Sequence, residues 1–357
     1  MTRSSPKLYV ALPQEGDFGW GIVSRGFMQE FDKLVPTTPV RVRDGEVRLV
    51  DAPAFVCLGS GDLTPVAEVR GTRSYGHAVF ETALHEKGVL RAQEYEKILC
   101  SSSWCRDRCL EAGIAHADVL LQGIDPVLFH PAPSRRQGRG FVVFSGGKLE
   151  YRKGQDVVIK AMQILQHRYD DILLVTAWVN LWPHSMELLR KSPHITFEVD
   201  GDTWEERMRR LYAVNDLDPT RIVTMSLVPN SLMRDVYAQT DIGVFPNRCE
   251  GGTNLVMMEY MATGRPVIGS YATGHRDVLS SENALLLTDL KQERLLLNGK
   301  PFADWVSPSV DEVVAAVEYA YHHRDEIQKL GKRAACDMLR FTWEQSARNA
   351  LRLMDIE

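Results

Sequence analysis

Short runs of Val, Ile, Leu and Ala recur along the chain, separated by stretches whose apolar positions return at helical spacing. The runs predict strands at 8–13, 54–59, 73–80, 97–102 and 118–122. Others follow at 141–145, 172–177, 195–199, 221–226, 242–246, 266–270 and 284–287. Most lack the alternation of a half-exposed strand, which points to strands covered on both faces, as in parallel sheets. Stretches such as 22–31, 156–167 and 232–239 read as helices. Strand–helix alternation predicts an α/β fold. The pattern breaks at residues 131–140, where Pro, Gly and charge replace apolar periodicity and read as a linker. The expected domains are therefore residues 1–134 and 135–341, with a last amphipathic helix over about 342–357.

Composition narrows the function classes. Of 357 residues, 44% are hydrophobic and 25% charged, the balance of a folded chain rather than a disordered one. Net charge is -5, which disfavours a nucleic-acid binder. Residues 1–134 carry 14 Lys and Arg against 17 Asp and Glu. That is no bias toward an anionic membrane, and peripheral attachment stays open. No apolar run reaches the about 18 residues of a membrane span, and the one near the N-terminus is too short for a signal-peptide core. Six irregularly spaced cysteines read as reduced thiols of a cytoplasmic protein.

Three glycine-rich elements stand at strand ends. Gly16, Gly19 and Gly21 follow the first strand and open a helix, a turn whose amides could approach an anion or a sugar. Ser145-Gly146-Gly147-Lys148-Leu149-Glu150-Tyr151-Arg152-Lys153-Gly154 joins the 141–145 strand to the next helix. Glycines for close approach, Lys148 and Lys153 for charge, and a helix N-terminus suit a diphosphate. Asn247-Arg248-Cys249-Glu250-Gly251-Gly252-Thr253-Asn254 precedes the helix from Leu255. It places Glu250 at the sheet's C-terminal edge, where open α/β sheets bind ligands. Glu259 lies farther along that helix.

Glu250-Gly-Gly-Thr-Asn-Leu-Val-Met-Met-Glu259-Tyr-Met-Ala-Thr-Gly-Arg-Pro-Val-Ile resembles the E-x7-E signature of retaining GT-B glycosyltransferases of family 4. The segment 144–154 resembles that family's phosphate loop, with Lys148 where an arginine is usual. Gln122-Gly-Ile-Asp-Pro-Val-Leu-Phe-His-Pro131, the stretch 97–106 and Tyr75-Gly-His-Ala-Val-Phe-Glu-Thr82 resemble further segments, in the same order. Here eight residues, not seven, separate Glu250 from Glu259, so Asn254 stands beside Glu250 as a candidate to meet the sugar.

The resemblance implies two Rossmann-like domains facing across a cleft and transfer of a sugar from a UDP- or GDP-linked donor to a glycan, lipid or small-molecule acceptor. It implies no cofactor and no metal. Lys148 and Lys153 would neutralise the departing diphosphate. Glu250 and the amides of Gly251, Gly252, Thr253 and Asn254 would hold the donor sugar. Glu259 would accept from the ribose, and the base would lie along Ser226, Leu227 and Val228. His77 would face the donor sugar across the cleft, with Glu81 a second candidate. A sugar phosphorylase or synthase on the same fold, and a non-catalytic sugar-nucleotide-binding subunit, are the competing readings. Asp200-Gly201-Asp202 reads as a turn and helix cap, and Cys100, Cys105 and Cys109 as core. Trp178 and Trp182 read as packing or as an acceptor surface.

Overall fold

In the computed structural model, which describes residues 7–13, 16, 19–43, 45–133 and 140–356, the apolar runs form two separate sheets. The first orders Thr37–Pro39, Leu8–Ala11, Ala54–Gly59, Ser74–Val79, Lys97–Cys100 and Ala117–Val119. These strands are parallel; only short Thr64–Pro65 pairs antiparallel, against Ala54–Gly59. The second orders Ile222–Thr224, Ile172–Trp178, Phe141–Gly147, Ile242–Phe245, Val267–Ser270 and Leu285–Leu287. All its pairings are parallel. The expected boundary between residues 134 and 135 falls outside the described residues.

Helices cover both sheets, so the central strands are buried along their length, as their unbroken apolar runs require. Every residue of Ile242–Phe245 and Val267–Ser270 is buried. Helix Leu255–Ala262 is buried on nearly all sides, and Met257, Met258 and Met261 pack in the core. The last helix, Trp343–Leu353, is capped by Thr342 and lies against Gly19–Leu34 of the first domain. A Cβ at Gly26 would sit 2.2 Å from the Trp343 ring, so glycine is what lets the two helices meet. Tyr75 Oη donates to Met354 O at 2.8 Å, and Lys97 Nζ to Leu353 O at 2.9 Å.

Some elements differ from the sequence reading. Residues 195–199 form no strand: the side chain of Asn215 takes both backbone groups of Thr196, at 2.8 Å each, in place of a neighbouring strand. The helix expected at 232–239 shortens to Met233–Tyr237 behind a tight turn at Asn230–Leu232. A hairpin, Leu290–Leu297 with Lys300–Pro308, follows the second sheet. It turns at Asn298 and Gly299, whose φ values of 51° and 75° are left-handed. The hairpin reaches the first domain: Ala83 N donates to Phe302 O at 2.8 Å, and Trp305 Nε1 to Glu81 O at 2.6 Å. Among the described residues no helix is long and apolar enough to cross a membrane.

Candidate active site

The second sheet reverses its strand order between Phe141–Gly147 and Ile242–Phe245, and ligands of open α/β sheets bind at such a switch point. Two loops leave its C-terminal edge there. After Phe141–Gly147 the chain makes a tight turn, Tyr151–Lys153, that ends at Gly154. Gly154 has φ 73°, and a Cβ on it would lie 2.0 Å from Pro246 O; only glycine allows this contact with the second loop. The turn thereby brings Arg152 and Lys153 against Glu250.

Glu250 is buried and held from several sides. Lys153 Nζ donates to Oε1 at 2.6 Å, Arg152 Nη1 lies 3.3 Å from Oε2, and Asn247 Nδ2 donates to Oε1. Its backbone N–H donates to Thr273 Oγ1 at 2.9 Å, and its carbonyl accepts from Gly274 at 3.0 Å. Burial pushes the carboxyl up, but Lys153 and Arg152, with His275 nearby, outweigh it and hold the group at about 2. Arg152 also lies 3.4 Å from Glu81 of the first domain and 3.2 Å from Glu150, and donates to Cys249 O at 3.0 Å. Lys148 turns elsewhere, 2.5 Å from Glu150 Oε1 and 5.0 Å from the centre of the Trp182 ring.

The glycines of the second loop meet the first domain. A Cβ on Gly251 would sit 2.3 Å from Phe80 O, and one on Gly252 2.6 Å from Gln122 Oε1. Ser102 Oγ donates to Gly251 O at 2.7 Å, and Thr253 N to Gln122 Oε1 at 3.3 Å. Ser103 binds Asp277 through both its backbone N–H and its hydroxyl. Asn254, at φ 63°, caps helix Leu255–Ala262, and its Nδ2 lies 3.1 Å from His275 Nε2. In the first loop, Gly146 is tight packing (a Cβ would lie 2.7 Å from the Phe144 ring), and Gly147 has φ 120°.

Glu259 differs from Glu250. It too is buried, but its oxygens accept from Asn230 Nδ2 at 2.9 and 3.1 Å, and the Tyr237 hydroxyl stands at 3.5 Å. Burial outweighs these hydrogen bonds and lifts its carboxyl to about 8, so it is mostly protonated at neutral pH. Leu227, exposed, and Val228, half-buried, lie on the loop that leads to Asn230. The folded state binds this proton more tightly than the unfolded chain, whose glutamate titrates near 4.5. The stabilising contribution is therefore complete below about 4.5 and is lost as pH rises through about 8. Glu259→Gln should remove this fall, and its melting temperature should gain on the parent protein's between about pH 5 and 8.5. Parallel melting curves over that range would refute it.

The remaining candidates sort by geometry. Gly16, at φ 95°, accepts from Arg25 Nη1 at 2.9 Å. Gly19 opens its helix onto free space, and Gly21 is buried; Asp17 and Phe18 lie outside the described residues. His77 does not face the cleft. It sits wholly buried in strand Ser74–Val79, stacked on Phe55, edge-on to Phe27 and Trp20, with Nε2 2.8 Å from Ser101 Oγ. Burial drives it down to about 3 and keeps it neutral. Asp202 precedes a capping box made by Thr203 and Glu206. No group of three or more His, Cys, Asp or Glu among the described residues could hold a metal ion. Sequence reasoning did not single out Arg152, Asn247 and Gln122. Arg152 was visible as the cation beside Lys153; the partners of Asn247 and Gln122 come only from the fold.

Residues 178–296 match the family model described as Glycosyl transferases group 1. No curated protein sequence matches the chain. Among solved structures, Anabaena HepE in complex with UDP-glucose aligns over 98% of this chain and 98% of its own, at 12% identity and TM-score 0.64. Sucrose-phosphate synthase from Thermosynechococcus elongatus aligns over 79% of this chain and 67% of its own, at 16% identity and TM-score 0.57. A trehalose-6-phosphate synthase, studied for glycosyl transfer with retention, aligns over 94% of this chain and 79% of its own, at 14% identity and TM-score 0.61. The chain shares the GT-B fold of these proteins: two parallel-sheet Rossmann-like domains.

Proposed function

We propose that this chain is a retaining glycosyltransferase that moves a sugar from a UDP- or GDP-linked donor to an acceptor hydroxyl. The observation that carries the reading is the convergence of Glu250, Lys153 and Arg152 at the switch point of the second sheet, facing Glu81 of the first domain. In this reading the diphosphate binds at the 147–154 loop and the start of helix Gln155–Arg168, where backbone amides and the helix dipole favour an anion. Lys153, joined by Lys148 once it turns from Glu150, neutralises the charge that builds as the bond from the sugar's anomeric carbon to the diphosphate breaks. Side-chain cations then do the leaving-group work, and no metal is needed. Glu250 holds the donor sugar, and Glu259 meets the ribose as a neutral acid that donates as well as accepts. The acceptor hydroxyl attacks on the face the diphosphate leaves, and its proton passes to an oxygen of the departing diphosphate. Two neighbours support the reading: HepE was solved with UDP-glucose, and the trehalose-6-phosphate synthase was studied for retention.

One observation favours a second reading. Gly251, Gly252 and Thr253 are already engaged by Phe80, Ser102 and Gln122, as a subunit that binds a sugar nucleotide without turning it over could afford. Thermal stabilisation with UDP, GDP, ADP and TDP, then donor turnover, separates the two. A ligand at 100 times its Kd stabilises by about 2.7 kcal/mol. A shift with one nucleoside diphosphate, lost in Lys153→Ala, supports the donor site. Binding without transfer or donor hydrolysis supports the second reading, and no shift with any nucleotide overturns both.

A further inference from the structure

We infer that Arg152 is a positioning residue that keeps the Glu250 carboxylate in place while Lys153 turns to the donor's diphosphate. The inference rests on the glycosyltransferase reading for the movement of Lys153; the Arg152–Glu250 pairing stands on geometry alone.

Lys153 cannot serve Glu250 and a diphosphate equally well. Its ammonium lies 2.6 Å from Glu250 Oε1, and a phosphate bound at the 147–154 loop competes for it. Glu250 is buried, and a buried carboxylate that loses its counter-ion becomes strongly unfavourable. Arg152 meets the other oxygen, Oε2, at 3.3 Å. It is anchored independently of Lys153, by Cys249 O at 3.0 Å, Glu150 at 3.2 Å and Glu81 at 3.4 Å. Its own backbone carbonyl accepts from Arg248 N at 2.8 Å. The planar guanidinium spans these acceptors at once, which an ammonium cannot do. The charged or titratable groups around the Glu250 carboxyl are Lys153 and Arg152 on the phosphate loop, Cys249 on its own loop, His275 on the Thr273–Asp277 turn, and Glu81 and Glu150 through Arg152. His275 is held neutral by burial, at about 4, so Arg152 is the one permanent cation of this set left when Lys153 departs.

The test removes Lys153 in place of drawing it away. Melting temperature is measured from about pH 4 to 8 for Lys153→Met, Arg152→Met, Arg152→Lys and the double methionine variant, each with and without Glu250→Gln. In Lys153→Met, Glu250 should stay ionised to below about pH 4.5, so that Glu250→Gln changes no pH slope above it. In the double variant the Glu250 step should move into the range of about pH 5–7. A step in Lys153→Met as high as in the double variant would overturn the role of Arg152. If the double variant does not fold, the decision passes to Arg152→Met in a donor assay. There Lys153 stays tied to Glu250, so the donor's KM should rise roughly tenfold while kcat changes less. The acid limb of the pH profile should move up by about one unit, and Arg152→Lys should recover part of both. Unchanged KM and unchanged acid limb would sink the inference. A parent protein that neither binds nor turns over a nucleotide sugar sinks the glycosyltransferase reading instead, and the melting series still decides the Arg152–Glu250 pairing.

Discussion

Lys153→Ala and Glu250→Ala should each give a folded protein whose nucleotide-sugar turnover falls by roughly 10²–10³, the scale of one preorganised electrostatic contact. Both should fold because Glu250 and Arg152 each keep a neighbour of opposite charge. Without Lys153, Glu250 keeps Arg152 at 3.3 Å and the Asn247 amide. Without Glu250, Arg152 keeps Glu81 and Glu150, and Lys153 is half-buried, with access to water. For Lys153→Ala the loss falls on KM, because the ammonium meets the diphosphate of the bound donor, and on kcat, because it is needed as charge grows on the leaving diphosphate. For Glu250→Ala the loss is shared with KM, since the carboxylate contacts the sugar before and during transfer. Steady-state kinetics beside melting curves checks both. Full activity in either folded variant would mean that the charge cluster is not the reacting centre.

The fold was legible where burial acts on whole strands. Ile242–Phe245 and Val267–Ser270 are covered on both faces, and unbroken apolar runs mark them. It was less legible where one local device replaces another. Residues 195–199 look like a strand, yet Asn215 supplies the hydrogen bonds a strand would have found. The hairpin Leu290–Leu297 with Lys300–Pro308 was hidden by charged residues in its first strand and a register shift after Leu295. Its Asn298-Gly299 pair is nonetheless a strong hairpin signal. That Glu250 and Lys153 stand at one sheet edge could be read, because short loops after neighbouring strands carry them. His77 could not, since its fate depends on Phe27 and Phe55, which the chain brings in from two other elements. Gly251 and Gly252 could be read as sites of close approach, but not for what approaches: the first domain's Phe80 and Gln122.

The stability of that loop has its own anchor. Arg248 is fully buried, donates to both oxygens of equally buried Asp156 at 2.7 and 2.8 Å, and donates to Tyr151 O at 2.7 Å. Its guanidinium stacks 3.7 Å from the centre of the Tyr151 ring, and Glu293 of the hairpin lies 3.3 Å from Nε. One side chain thus ties the Glu250 loop to the phosphate-loop turn, the start of helix Gln155–Arg168 and the hairpin. Arg248→Met should cost about 3–5 kcal/mol, because Asp156 is left as a buried charge that the hydrogen bond from Ser192 Oγ, at 2.6 Å, does not neutralise. In a domain of this size the melting temperature should drop by on the order of 10 °C. Adding Asp156→Leu should restore most of that loss, since an apolar pair of similar volume removes the stranded charge. The restored double variant should still turn over donor more slowly than the parent, because the loop loses the hydrogen bonds that aim Glu250. An Arg248→Met protein that melts with the parent would show that the pair does not hold the loop. A double variant no more stable than the single would place the cost in lost packing rather than in the stranded carboxylate.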